Sequence, residues 1–337
     1  MITHFTVSPY NEIRLIFLWS IAIDIMGRSI MIYKNLIVVS NTGDSTISVV
    51  DPYHFHEIQR IQLPKDSGPY DIIKYDKSYK VLVSQYYADS ITSIDLLKGE
   101  ILDSATTGRR PWYMVYDKER ALAFVTNSDS DTVSIICVRK MKLIGQMKTG
   151  SMPQGIDLNP NLKTLAVANV NSNDVMIIDA DNLTIKKLIK LNKNPMQVKY
   201  SAKGDVLFIS CSSSNNGDMG SIKVVDAQSY KISAEISLNA IPGQIYSTKD
   251  GKYVFVASMG NGGLEIVDIE KEKPINHVPT NGMTHGMAVD QCEKYVYVTN
   301  PNDNSISVVD WKIGKKINTL KVGKEPNGIV FISNDLT

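Results

Sequence analysis

The sequence is poor in cysteine, with only three residues spread along a chain of 337. An odd number of dispersed cysteines excludes a disulfide-stapled scaffold and a closed zinc site with four thiolate ligands. An excess of charge of one sign is also lacking, because 36 Lys and Arg oppose 35 Asp and Glu for a formal net charge of +1. We therefore expect no nucleic-acid partner, which would need a basic surface.

Long apolar runs and cofactor motifs are missing as well. The longest apolar stretch, Leu15–Met26, has about a dozen residues and contains Asp24, whereas a helix needs about 20 apolar residues to cross a bilayer. We expect no stable membrane span. The chain also has no glycine-rich phosphate loop, nucleophile elbow or haem-attachment motif, so we expect no bound cofactor and assign no catalytic or metal-binding residue.

What the sequence does contain is a repeat of about 42 residues. Its last complete copy reads Tyr295-Val-Tyr-Val-Thr-Asn300, a polar turn, and then Ser305-Ile-Ser-Val-Val-Asp310. The position of Asn300 recurs through the chain, and so does a proline that opens an apolar run. The two sets of markers are Asn41, Gln85, Asn127, Asn169, Cys211, Ser258, Asn300 and Pro69, Pro111, Pro153, Pro195, Pro242, Thr284, Pro326.

Each copy contains four short segments rich in β-branched residues, separated by turn-forming residues. Four antiparallel strands per 40–45 residues are typical of a propeller blade. The sequence therefore predicts an all-β, seven-bladed propeller over residues 31–337. Since the chain enters on a second-strand segment at Met31 and leaves on a first-strand segment at Asn327–Ser333, one C-terminal and three N-terminal strands should form a mixed blade that closes the ring.

The segment Tyr297-Val298-Thr299-Asn300 resembles the motif of the YVTN β-propeller repeat family, and the resemblance covers residues 31–337. It implies the fold and no single function, because that family includes surface-layer proteins, binding modules and propellers similar to subunits of amine-oxidising dehydrogenases. Such dehydrogenase complexes carry their quinone-type cofactor on a separate small subunit. The resemblance therefore implies no cofactor on this chain.

Residues 1–30 lie outside the repeat and are interpreted as an N-terminal extension. Glu12 and Arg14 precede the apolar stretch in place of a clearly basic segment, and no small-residue cleavage site follows before Arg28. One interpretation makes Met31 the natural start of a cytoplasmic protein. The alternative is a weak signal segment on an exported or cell-surface protein, since many similar propellers are exported.

The candidate site lies on the face where the loops after the Asn300-type positions meet the loops that carry the prolines. Loops on a rigid scaffold commonly carry binding function. Aromatic and charged residues there depart from the sibling repeats, and His285 replaces a small or amide residue near the channel mouth. The candidate ligand- or partner-binding residues are Tyr70, Asp71, Tyr86, Tyr87, Arg109, Arg110, Trp112, Tyr113 and His285.

Five aromatic rings and two arginines from adjacent blades suit a planar or sugar-like ligand, or a hot spot for a protein partner. The alternative is that the rings pack between blades and the arginines are solvated. We favour a non-catalytic, monomeric binding scaffold with an unknown protein or small-molecule ligand. The second hypothesis is a lactonase-like hydrolase or a lyase, which requires His285, Asp71, Arg109 and Arg110 to face one pocket. The third hypothesis is a propeller subunit of an amine-oxidising dehydrogenase complex.

Overall fold

The computed structural model describes residues 35–76, 78–159, 161–212 and 219–333, together with the backbone of residues 20–25 and 28–33. Within these residues the chain forms seven four-stranded antiparallel sheets and one separate two-stranded hairpin. The predicted seven-bladed propeller is therefore confirmed. No helix in the described part of the chain is long and apolar enough to span a membrane.

Six blades follow one another along the chain, each with its four strands paired in sequence order. They are β6–β9 (Pro69–Lys74, Lys80–Gln85, Ser90–Asp95, Glu100–Thr106), β10–β13 (Pro111–Asp117, Leu122–Asn127, Thr132–Cys137, Lys142–Lys148), β14–β17 (Pro153–Asn159, Thr164–Asn169, Asp174–Asp179, Ile185–Lys190), β18–β21 (Asn194–Tyr200, Val206–Ser212, Ser221–Asp226, Ile232–Ser237), β22–β25 (Pro242–Ser247, Tyr253–Ser258, Gly263–Asp268, Lys273–Val278) and β26–β29 (Met287–Val289, Tyr295–Asn300, Ser305–Asp310, Lys315–Lys321). Among the loops that the structure describes, two contain short 3-10 turns, Val138–Lys140 and Pro301–Asp303.

The seventh blade closes the ring as predicted. The C-terminal strand β30 (Pro326–Ser333) pairs with β3 (Asn35–Asn41), which is followed by β4 (Thr46–Asp51) and β5 (His56–Gln62). The register sets Leu36 opposite Ile332 and Asn41 opposite Pro326. Joining the two ends of the chain in one sheet leaves no partial blade with open edges.

The N-terminal strand of the closing blade, β3, begins at Asn35. Residues 28–33 form β2 (Arg28–Tyr33), which pairs with β1 (Ser20–Ile25) in the hairpin. Residues 1–19 and 26–27 of the expected N-terminal extension lie outside the described residues.

The core lies between the blades. Middle strands are covered on both sheet faces by neighbouring blades, so β4 is buried at every residue, whereas the outermost strand β17 is exposed at all but one. This explains the nearly continuous apolar runs of the middle strands and the lysines of the outer ones. One such core joins Val38 and Val49 of the closing blade to Val81 and Val83 of the next.

The recurring polar residues fix the turns. Asn300 Nδ2 donates to the Ser305 hydroxyl at 3.0 Å and to the Ser307 hydroxyl at 2.9 Å, and Asn41 makes the matching pair of bonds. The aspartate at the end of a third strand accepts backbone N–H bonds from the turn that follows, as Asp95 does from Leu97 and Lys98. Side chains that satisfy backbone groups in this way hold each hairpin in register.

Candidate functional site

A channel runs along the axis of the ring and forms a cavity of about 700 Å³. All seven inner strands line it: β6, β10, β14, β18, β22, β26 and β30. Each of these strands pairs within its own sheet on one edge, and on the other edge some of its backbone N–H groups donate to a neighbouring inner strand, as that of Met114 does to Asp71. The channel lining therefore combines polar groups with apolar side chains such as Ile72, Ile245 and Val330.

The channel is narrow at the end near the marker prolines. At the second position after each marker the residues are Asp71, Tyr113, Gly155, Gln197, Gln244, Gly286 and Gly328. A Cβ atom on Gly286 would lie 2.0 Å from the Asn327 carbonyl oxygen, and one on Gly328 would lie 2.3 Å from the Tyr70 carbonyl oxygen. Glycine is required at these two positions because the inner strands approach too closely for a side chain.

An aromatic cluster lies directly above this constriction. Its members are Tyr70, Tyr86, Trp112, Tyr113 and His285, and the ring of Tyr70 is at the centre. The centroid of that ring lies 5.1 to 5.9 Å from the centroids of the other four rings. Three of the four contacts are edge-to-face, the arrangement that the quadrupoles of aromatic rings favour. The predicted convergence of these side chains on one region is thus observed, with tight ring-on-ring packing.

His285 joins the cluster from the far side of the closing blade. Its Nε2 atom lies 2.8 Å from the hydroxyl of Tyr70. Burial lowers the pKa of His285 to about 4, so the ring is neutral at pH 7. His285 does not line the channel cavity.

Asp71 lies one residue below the cluster and does line the channel. Its side chain is only 5% exposed, and its Oδ2 atom accepts a hydrogen bond of 2.9 Å from the backbone N–H of Met114 on the next blade. Burial raises the pKa of Asp71 to about 7, against the opposing effect of the backbone donors. Tyr113, which also lines the channel, has its pKa raised by burial and by the nearby Asp71 carboxyl.

The remaining candidate residues Tyr87, Arg109 and Arg110 form a surface patch that adjoins the cluster through Tyr86. The Arg110 guanidinium lies over the ring of Tyr86, 5.4 Å from its centroid, and pairs with Asp129 at 3.1 Å. Tyr87 is 62% exposed, and its ring covers Gly68, where a Cβ atom would lie 2.2 Å from the ring. The patch is on the outside of the same face, and neither arginine lines the channel.

Several channel residues were not singled out from the sequence. Gln197 and Gln244 line the constriction, and the side chain of Gln197 lies against the Tyr113 phenol. Farther along, Lys199 donates to Asp157 at 3.1 Å. The signal for the two glutamines was present, because they occupy the same position after the marker proline as Asp71.

No group of three or more His, Cys, Asp or Glu side chains is arranged to bind a metal ion in the part of the chain that the structure describes. The channel offers instead one carboxyl, one phenol and two amides at its narrow end. Such side chains donate and accept hydrogen bonds and suit an organic ligand.

The fold has many known counterparts, although no family model and no curated protein matches the sequence. Hydrazine synthase from Kuenenia stuttgartiensis superposes with a TM-score of 0.74 at 18% identity, over 80% of this chain and 90% of that one. A functionally unknown protein from Desulfotomaculum acetoxidans gives 0.76 at 15% identity, over 89% and 100%. A putative 6-phosphogluconolactonase from Bacteroides uniformis gives 0.72 at 14% identity, over 89% and 100%.

These similarities extend over most of each chain. At 14% to 18% identity they establish a shared propeller fold. They do not transfer an activity, because this fold hosts unrelated functions.

Proposed function

We propose that this protein is a non-catalytic, monomeric binding propeller of the YVTN repeat type, and that its ligand site is the central channel. The observation that carries the proposal is the channel itself, a cavity of about 700 Å³ lined by all seven inner strands. Pockets of this size, with a few convergent polar groups, are the usual sites of small-molecule binding.

The aromatic cluster supports the proposal by giving the channel a closed end. Tyr70 packs against rings from two other blades, so a ligand enters from the opposite face, where Lys118 and Phe331 line the cavity. Part of the site predicted from sequence thus becomes the end wall of the channel. The exposed patch at Tyr87 and Arg110 remains our candidate for contact with a protein partner.

A channel-filling variant tests this proposal. Val289 lines the cavity at the end of β26, and Val289→Trp would occupy part of its volume. The parent, Val289→Trp and the surface control Ile185→Trp are dialysed against a small-molecule cell extract, and retained compounds are identified by mass spectrometry. We expect one or more compounds to be retained by the parent and the control and lost by Val289→Trp. Equal retention by all three, or none by the parent, would refute the channel as the ligand site.

The second candidate is an enzyme that acts in the channel, a hydrolase or lyase. One observation favours it: Asp71 faces the channel with a pKa of about 7, which suits a general acid or base at neutral pH. One of the similar structures carries the name putative 6-phosphogluconolactonase. Of the four side chains that this hypothesis required, however, only Asp71 lines the channel.

The enzyme hypothesis predicts turnover of a lactone by the parent and its loss in Asp71→Asn. Hydrolysis of a panel of lactones, followed by acid release, distinguishes the two candidates. Binding without turnover in the parent would favour the scaffold.

A further inference from the structure

We propose that the ligand of the central channel carries a positively charged group, a protonated amine or a guanidinium, which binds beside Asp71. This inference rests on the channel-binding function proposed above and names its class of ligand.

The repeat itself shows that the charge of Asp71 is not needed by the fold. Asp71 Oδ2 accepts the backbone N–H of Met114 on the next blade. At the equivalent position of a later blade, Gln244 Oε1 accepts the backbone N–H of Met287 in the same way. A neutral amide therefore provides the same link between neighbouring inner strands. The negative charge at position 71 is therefore not required for this link between strands.

The described part of the chain supplies no paired counter-ion for this carboxylate. Among the described residues, no Lys, Arg or His side chain forms an ion pair with Asp71, and Lys199, the basic group that acts on it from β18, is already paired with Asp157. The other groups near the carboxylate are neutral: the backbone N–H groups of Met114 and Ile72 and the Tyr113 phenol. A buried carboxylate without a partner is costly, and a ligand cation would provide that partner.

The surroundings also suit a cation. Tyr113 lines the same part of the channel, and the face of an aromatic ring attracts an ammonium or guanidinium group. Gln197, only 7% exposed, presents its amide beside the Tyr113 phenol. That amide can donate to an oxygen elsewhere on the ligand.

Three probes of one shape and different charge test the inference: n-butylammonium, 1-butanol and butyrate. Calorimetric titration of the full chain at pH 8 in an amine-free buffer measures each dissociation constant. We expect n-butylammonium to bind about tenfold or more tightly than 1-butanol, since its hydrogen bond to the carboxylate is charge-assisted. Butyrate should bind more weakly than either.

Three variants assign any preference to Asp71. Asp71→Asn keeps an acceptor for the Met114 N–H and should reduce the ammonium preference to about twofold or less, whereas Asp71→Glu keeps the charge and should retain a preference. Asp174→Asn is the control, because Asp174 is also buried but pairs with Lys190 at 3.0 Å and does not line the channel. It should leave the preference unchanged.

The inference is overturned if the ammonium and the alcohol bind equally, if no butylammonium binding is detected, or if the preference survives in Asp71→Asn. These failures are separable from a failure of the proposed function, because the dialysis of the cell extract detects channel ligands of any charge.

Discussion

Replacing Asp71 by asparagine should make the protein more stable at neutral pH, which is unusual for a fully buried residue. The carboxyl has an ordinary pKa of 3.8 in the unfolded chain, and burial raises its pKa to about 7 in the folded one. The folded state therefore binds the proton more tightly. Its stability falls as the pH rises from about 4 to about 7, because the buried group must then ionise. At about 1.4 kcal/mol per pH unit, the total cost above pH 7 is up to about 4 kcal/mol.

Asparagine removes this cost and keeps an acceptor for the Met114 N–H. We expect the free energy of unfolding of Asp71→Asn to equal that of the parent near pH 4 and to exceed it by about 4 kcal/mol at pH 8. Urea denaturation at half-unit steps from pH 4 to 8 measures both proteins. The lowered pKa of His285 also reduces stability as the pH falls from about 6.5 to about 4. Because both proteins contain His285, this effect cancels when the free energy of unfolding of the parent is subtracted from that of the variant. A difference that does not change with pH would refute the reasoning.

Three further predictions concern the packing around the channel. Ile332→Ala removes a fully buried side chain of the closing strand and should lower the free energy of unfolding, measured by urea denaturation, by about 2–5 kcal/mol. The control Ile185→Ala, at a position 55% exposed, should lower it by no more than about 0.5 kcal/mol. Equal losses would argue against the mixed blade. Tyr70→Phe removes the hydroxyl bonded to His285 and should cost about 1 kcal/mol by the same assay; an unchanged midpoint would show that this bond is not stabilising. Gly328→Ala places a Cβ against the Tyr70 carbonyl and should cost about 1–3 kcal/mol; a thermal-melt temperature equal to that of the parent would contradict the close approach of the inner strands.

The fold could be predicted because its information is local and repeated. The side chain of Asn300 reaches the hydroxyls of Ser305 and Ser307, five and seven residues on, so each hairpin carries its own marker. The proline ladder places the inner strand of every blade, and the ends of the chain then allow only one way to complete the ring.

The candidate site was predicted only in outline, because its geometry depends on several blades at once. The sequence placed the rings of Tyr70, Trp112 and Tyr113 on one face, and they do lie together. It could not show that Tyr70 reaches His285, 215 residues away. It also could not separate Asp71, which faces the channel, from Arg110, which lies on the surface. Side-chain direction across the axis is set by neighbouring blades and is not encoded in any single repeat.

The most direct test of the central claim is a crystal structure of the protein soaked with a compound retained in the dialysis experiment. Our account predicts ligand density inside the channel, in contact with Asp71 or Tyr113 and with the inner strands of at least three blades. Density confined to the outer patch at Tyr87 and Arg110, with the channel filled only by water, would contradict it.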